Sequence, residues 1–212
     1  MLKIWGRATS ANVQAATWAA AELDLPTERI DWGGKFGGND DPAFRAMSPA
    51  GLVPAMQDGD LTLFESPAMV RYLGAKYGND AFWPTDPAAR AALDQWAEWA
   101  KGTFYSVVIG SLFFNLIRVK AADRNAATMA VAEANAATCA RTIDARIGAG
   151  PWLAGDAFSF ADVMLGHFLY RYYTLDFARA VAPNLDAYYA RLCARPAFAR
   201  HVMINYDELR AE

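Results

Sequence analysis

An α+β first part followed by an all-helical second part is the fold the sequence predicts, on three observations. Residues 1–78 alternate short apolar runs with stretches of helical periodicity. Residues 78–87 carry Pro84 and Pro87 and no periodicity, and beyond them the apolar residues recur at three- and four-residue steps. The chain therefore divides into a domain over 1–78, a linker over 79–87 and a helical domain over 88–212.

The elements follow in order. Residues 2–5 form a short apolar strand, and Val13, Ala16, Ala20 and Leu23 then share one helical face. Residues 28–32 are a second strand, ended by Gly33-Gly34 and the turn-rich stretch 37–42. Apolar runs at 52–56 and 61–64 flank Asp58-Gly59, which signals a hairpin. Ser66-Pro67 opens a helix through Val70, Leu73 and Tyr77, with Ser suited to the N-cap and Pro to the first helical position, where its missing N–H is not needed. A long helix is expected over 87–118. Another carries Met129, Ala132, Ala136, Cys139, Ile143 and Ile147 on one face and stops at Gly148. Ser159-Phe160-Ala161-Asp162 has the spacing of a capping box, with Asp in place of Glu, before a helix to residue 173; shorter helices are expected near 185–193 and 197–205.

Composition narrows the function classes. With 54% hydrophobic and 20% charged residues among 212, the chain has the material for a sizeable core, and bulk disorder is excluded. Its 20 Lys and Arg against 23 Asp and Glu leave no basic excess to neutralise phosphates, so no nucleic-acid partner is expected. The uncharged stretch 102–117 is shorter than the ~20 residues a span needs and is interrupted by polar residues, so it is expected to be a buried amphipathic helix rather than a membrane anchor. Cys139 and Cys193 lie far apart with no Cys-x-x-Cys pattern, which fits a reducing, cytoplasmic setting. His167 and His201 lack metal-ligand spacing; they are expected at the core edge and on the surface, and no metal is expected.

In combination, the element order, the segment Gly51-Leu52-Val53-Pro54-Ala55-Met56, the Asp58-Gly59 hairpin and Leu63-Phe64-Glu65-Ser66 opening a helix resemble the glutathione transferase family. The resemblance covers essentially the whole chain. Trp5-Gly6-Arg7 to Gln14 and Asp94-Gln95-Trp96 look most like a bacterial, serine-type branch related to the theta class. It implies a thioredoxin-like, glutathione-binding first domain, a helical second domain, and a homodimer. The implied activity is that of an enzyme holding glutathione as its thiolate for attack on a small apolar electrophile, or for reduction of an organic peroxide. The alternative is a non-catalytic protein that keeps the fold for ligand storage or protein contact. Disulfide exchange is disfavoured because position 10 is serine and neither cysteine lies in the first domain; a zeta-type isomerase is disfavoured because Thr9-Ser10-Ala11-Asn12 lacks paired serines.

Glutathione presents one thiol, one amine and two carboxylates, and the residues can be matched to these needs. A thiol near pKa 8.5 is mostly protonated at neutral pH, so a donor to the sulfur at a helix N-terminus favours the reactive form. The resemblance places Ser10 there, with Asn12 or Thr9 as the other donors available. It makes the Val53–Pro54 bond cis, presenting the backbone of Val53 to the cysteinyl part. Glu65 would pair with the ammonium, and Ser66, at a helix N-terminus, with the γ-glutamyl carboxylate. Two departures stand out: Leu52 occupies a position often polar in the family, and Pro67 removes one N–H from the carboxylate cradle. Lys35 or Asn39 is then expected to take the glycyl carboxylate. The electrophile is expected against Tyr105, Ile109 and Phe113, four residues apart on the long helix, with Tyr206 folding over the cleft.

Overall fold

The computed structural model describes residues 1–148 and 150–211. Strand β1 (Leu2–Trp5) leads into helix α1 (Ala11–Glu22), and β2 (Thr27–Ile30) returns parallel to β1. After the short α2 (Pro42–Met47), β3 (Ala55–Asp58) pairs antiparallel to β1 and forms an antiparallel hairpin with β4 (Leu61–Phe64), and α3 (Ser66–Tyr77) closes this half. The sheet order is β2-β1-β3-β4. At the hairpin, Gly59 has φ +61° while Asp60 does not have positive φ, which is the pattern of a type II′ turn.

Two strands differ from expectation. The run 52–56 contributes to a strand only from Ala55, because Pro54 has no N–H to place in the ladder. β2 is shifted one residue toward the N-terminus and stops at Ile30. Both changes leave loops facing the same end of the sheet.

In the helical half, α4 (Pro87–Trp99) continues in a wider π winding over Ala100–Phe104 and Ser106–Arg118, giving one 32-residue helix. Helices α5 (Ala126–Ile147), α6 (Phe160–Thr174), α7 (Pro183–Cys193) and α8 (Pro196–His201) complete the bundle, the last ending earlier than its sequence pattern suggests. Asp86, Asn125 and Asp41 each accept a backbone N–H at a helix start, a contact worth about 1 kcal/mol apiece. By length and composition the 32-residue helix could cross a membrane, but Val108, Leu112 and Ile117 are packed into the protein core.

Helix α1 joins the halves. It is buried nearly all round, and its alanines let the sheet, α3 and α6 approach closely. Gly166 on α6 is required here, since a Cβ would lie 2.7 Å from Trp18. At the far end of α1, Glu22 accepts from Trp18 Nε1 at 2.7 Å and from Arg195 Nε at 2.8 Å, tying α8 to the sheet half.

The start of α6 carries the most demanding polar group in the core. Fully buried Asp162 accepts from Leu153 N at 2.9 Å, Ser159 N at 2.8 Å, Ser159 Oγ at 2.9 Å and Tyr188 Oη at 2.9 Å. Burial pushes its carboxyl up, against the pull of these four donors. His167 lies deeper than the core edge expected of it: it is fully buried, Nδ1 donates to Val163 O at 2.8 Å, and burial lowers its pKa to about 3.

Candidate active site

A cleft of about 360 Å³ opens where the ends of β1 and β3, the N-termini of α1 and α3, and the π-wound helix meet. Its position outside the carboxyl end of the parallel strand pair is where ligands settle in α/β sheets.

Ser10 is the N-cap of α1, with extended backbone; its hydroxyl makes no capping hydrogen bond, and the residue lines the cleft. The neighbouring candidates are more constrained. Thr9 Oγ1 donates to Glu208 at 3.2 Å, and Asn12 accepts from Lys101 Nζ at 2.8 Å through its amide oxygen, leaving only its NH₂ to donate. Two cations stand close by. Lys101 has its pKa lowered by burial, opposed by the charge of Glu65. Arg171, 2% exposed, donates to Thr9 O and Gln14 Oε1, each at 2.7 Å, and burial lowers its pKa to about 10. A negative charge beside Ser10 would meet the α1 N-terminus and both cations.

The Val53–Pro54 bond is cis, and Val53 lies outside both strand ladders, so its backbone groups are available to an extended ligand. Glu65 caps α3 with φ +70°, a conformation that costs a non-glycine residue about 1–3 kcal/mol and is retained mainly where a site needs it. Ser66 is buried behind it. With Pro67 lacking an N–H and Met69 N bonded to Glu65 O, the N–H groups of Ser66 and Ala68 are left for a ligand at the helix start. Asn39 lines the cleft and anchors itself to Gly51 O.

Tyr105, Ile109 and Phe113 line the opposite wall together with Phe114. Two sequence-based assignments need correction. Lys35 does not line the cleft: its ammonium pairs with Glu208, which the C-terminal segment brings alongside. Tyr206 does not cover the cleft either; it is buried behind Phe113 in an edge-on contact, hydrogen-bonded to Thr174 at 2.7 Å, and half-buried Leu209 lines the cleft instead. The sequence reading also missed Arg7, Arg118 and Arg171 in the cleft wall. Arg171 left one trace, as a lone cation within the apolar run 160–173.

Residues 5–81 match the glutathione S-transferase N-terminal domain, and residues 110–191 match the C-terminal domain of the same enzymes. The chain belongs to the glutathione S-transferase family. Among its relatives in this family, glutathione S-transferase GstB of Escherichia coli K12 is 36% identical over 206 residues, covering 96% of this chain and 99% of the relative. Glutathione S-transferase 3 of Zea mays is 33% identical, covering 95% and 93%. The theta class glutathione S-transferase from the citrus canker pathogen Xanthomonas axonopodis pv. citri, solved with glutathione bound, superposes with a TM-score of 0.90 at 42% identity, covering 96% of this chain and 98% of that one. The theta-like glutathione S-transferase architecture of a thioredoxin-like domain followed by a helical domain is thus the fold of this chain.

Proposed function

We propose that this glutathione S-transferase binds glutathione against the sheet half, holds it as the thiolate at Ser10, and directs the sulfur at an electrophile with an apolar body lying on Ile109, Phe113 and Phe114. The observation that carries this reading is that Ser10, whose hydroxyl makes no capping hydrogen bond, lines the same cleft as Val53 and the start of α3. Glu65 takes the ammonium, Ser66 and the α3 N-terminus the γ-glutamyl carboxylate, and Asn39 remains on the glycyl side now that Lys35 is paired with Glu208. Free Cys139 and Cys193 fit work in the reducing cytoplasm, where detoxification of electrophiles is the role such chemistry serves.

Glu65→Ala is expected to weaken glutathione by about 1.5–3 kcal/mol, or roughly ten- to a hundredfold in Kd, because the ammonium loses its charge partner. Calorimetry of wild type and variant checks this; wild-type protein that binds no glutathione at millimolar concentration rules the reading out.

We also propose a homodimer. Only 33% of the most apolar window of the long helix is buried within the chain, and Leu61 and Phe64 on the edge strand β4 are exposed alongside Tyr77. Sedimentation at micromolar concentration is expected to give a species of twice 23.2 kDa. A single 23.2 kDa species would show that these faces stay open.

A further inference from the structure

Two arginines line the cleft without a side-chain partner among the described residues. Arg7 follows β1, and Arg118 ends the π-wound helix, so each half of the protein supplies one. Among the described residues neither forms an ion pair or donates a side-chain hydrogen bond, and Arg7 Nε is buried without a partner. They stand close enough that the charge of Arg118 adds to burial in lowering the pKa of Arg7. The Glu208 carboxylate opposes that shift but is itself held by Lys35 and Thr9. Behind them Arg171 adds a third positive charge, bound only to neutral acceptors and lying over the Phe113 ring at 5.3 Å.

Two like charges facing a cavity without a counter-ion are an electrostatic cost in the empty protein that a bound anion removes. The guanidinium fork suits carboxylates and related oxyanions in particular. Ile109, Phe113 and Phe114 lie one to two turns before Arg118 on the same helix, so an apolar surface leads directly to the cationic one.

We propose that the second substrate is an electrophile with an aromatic or other apolar body and an anionic oxygen group, bound with its body on Ile109, Phe113 and Phe114 and its anion between Arg7 and Arg118. This rests on the transferase reading above and specifies the substrate class of the same cleft. For an aryl halide acid, the thiolate sulfur forms a bond to the halogen-bearing carbon, the carbon–halogen bond breaks, and halide leaves with the bonding pair; the thiol proton has already gone to solvent.

The test compares an acid with its uncharged isostere. Calorimetry on the full chain measures S-(4-carboxy-2-nitrophenyl)glutathione, its 4-carbamoyl counterpart, and glutathione alone, for wild type, Arg118→Gln and Arg7→Gln. The acid conjugate is expected to bind at least about tenfold more tightly than the amide in wild type, and this preference is expected to collapse in each variant while amide and glutathione affinities stay within about twofold. Arg118 is exposed, so its variant keeps the fold. In parallel, kcat/KM for 4-chloro-3-nitrobenzoate over 4-chloro-3-nitrobenzamide, each divided by its uncatalysed rate, is expected to favour the acid.

Equal binding of the two conjugates overturns the proposal, as does an acid preference that survives both variants. If Arg118→Gln weakens glutathione as much as the acid conjugate, the pair serves the tripeptide's glycyl carboxylate and the proposal is likewise wrong. Absence of glutathione binding in wild type is a separate result: it removes the transferase reading, while the acid-to-amide comparison still decides the anion site.

Discussion

Ser10→Ala is expected to lower turnover at neutral pH by about ten- to a hundredfold while glutathione affinity stays nearly constant. The lost bond is charge-assisted, at about 1.5–3 kcal/mol, and it acts on the thiolate alone, so it corresponds to roughly one to two pKa units on the bound thiol. The sign is fixed: removing a donor to the charged form raises the thiol pKa, less thiolate is present at a given pH, and activity recovers as pH rises through the raised value. Activity does not vanish, because the α1 N-terminus, Lys101 and Arg171 all remain. Thiolate absorbance of the bound ligand, titrated in Ser10→Ala and Asn12→Ala, reads the effect directly. A raised pKa in the Asn12 variant with none in the Ser10 variant would transfer the role to the Asn12 amide.

The largest effect on stability is expected at Asp162. Truncation to alanine leaves Leu153 N, Ser159 N and Tyr188 Oη facing a buried void, and Ser159 Oγ with them. Each buried donor left without an acceptor costs about 1–3 kcal/mol, so the loss is expected to reach several kcal/mol. Asp162→Asn keeps one acceptor oxygen but turns an NH₂ toward donors, so its loss should fall below that of alanine without disappearing. Urea unfolding measures both. A loss under about 1 kcal/mol for alanine would mean that the four donors find other partners.

What was legible in the sequence was local. The Asp58-Gly59 hairpin and the carboxylate half of the Ser159–Asp162 box are each decided within four residues, and each lies where its pattern points, whereas the Ser66-Pro67 helix begins one residue earlier than its pattern, with Glu65 rather than Ser66 as the cap. Lys35 and Tyr206 were misplaced because their partners are remote in sequence: Glu208 lies 173 residues from Lys35, and Thr174 lies 32 from Tyr206. The cleft arginines were missed for the same reason. Arg7 and Arg118 read singly as surface cations, and their meaning comes only from convergence across two halves of the chain. The π winding after Trp99 has no counterpart in the periodicity, because the apolar spacing of 105, 109 and 113 is read the same way for an α-helix.

The all-round burial of α1 has an evolutionary consequence. The segment that presents Ser10 is gripped by the sheet, by α3 and by α6, where Gly166 leaves no room beside Trp18. Sequence drift there is penalised by packing before it can alter chemistry. The wall opposite is held on one side only, and Phe114 and Arg118 on it are exposed. Substitutions at those two positions can redirect which molecules enter without disturbing the residues that present the sulfur. Closely related proteins should therefore share the Ser10 surroundings while diverging at 114 and 118, so that one ancestral scaffold can meet a changing chemical environment through a few surface-helix positions.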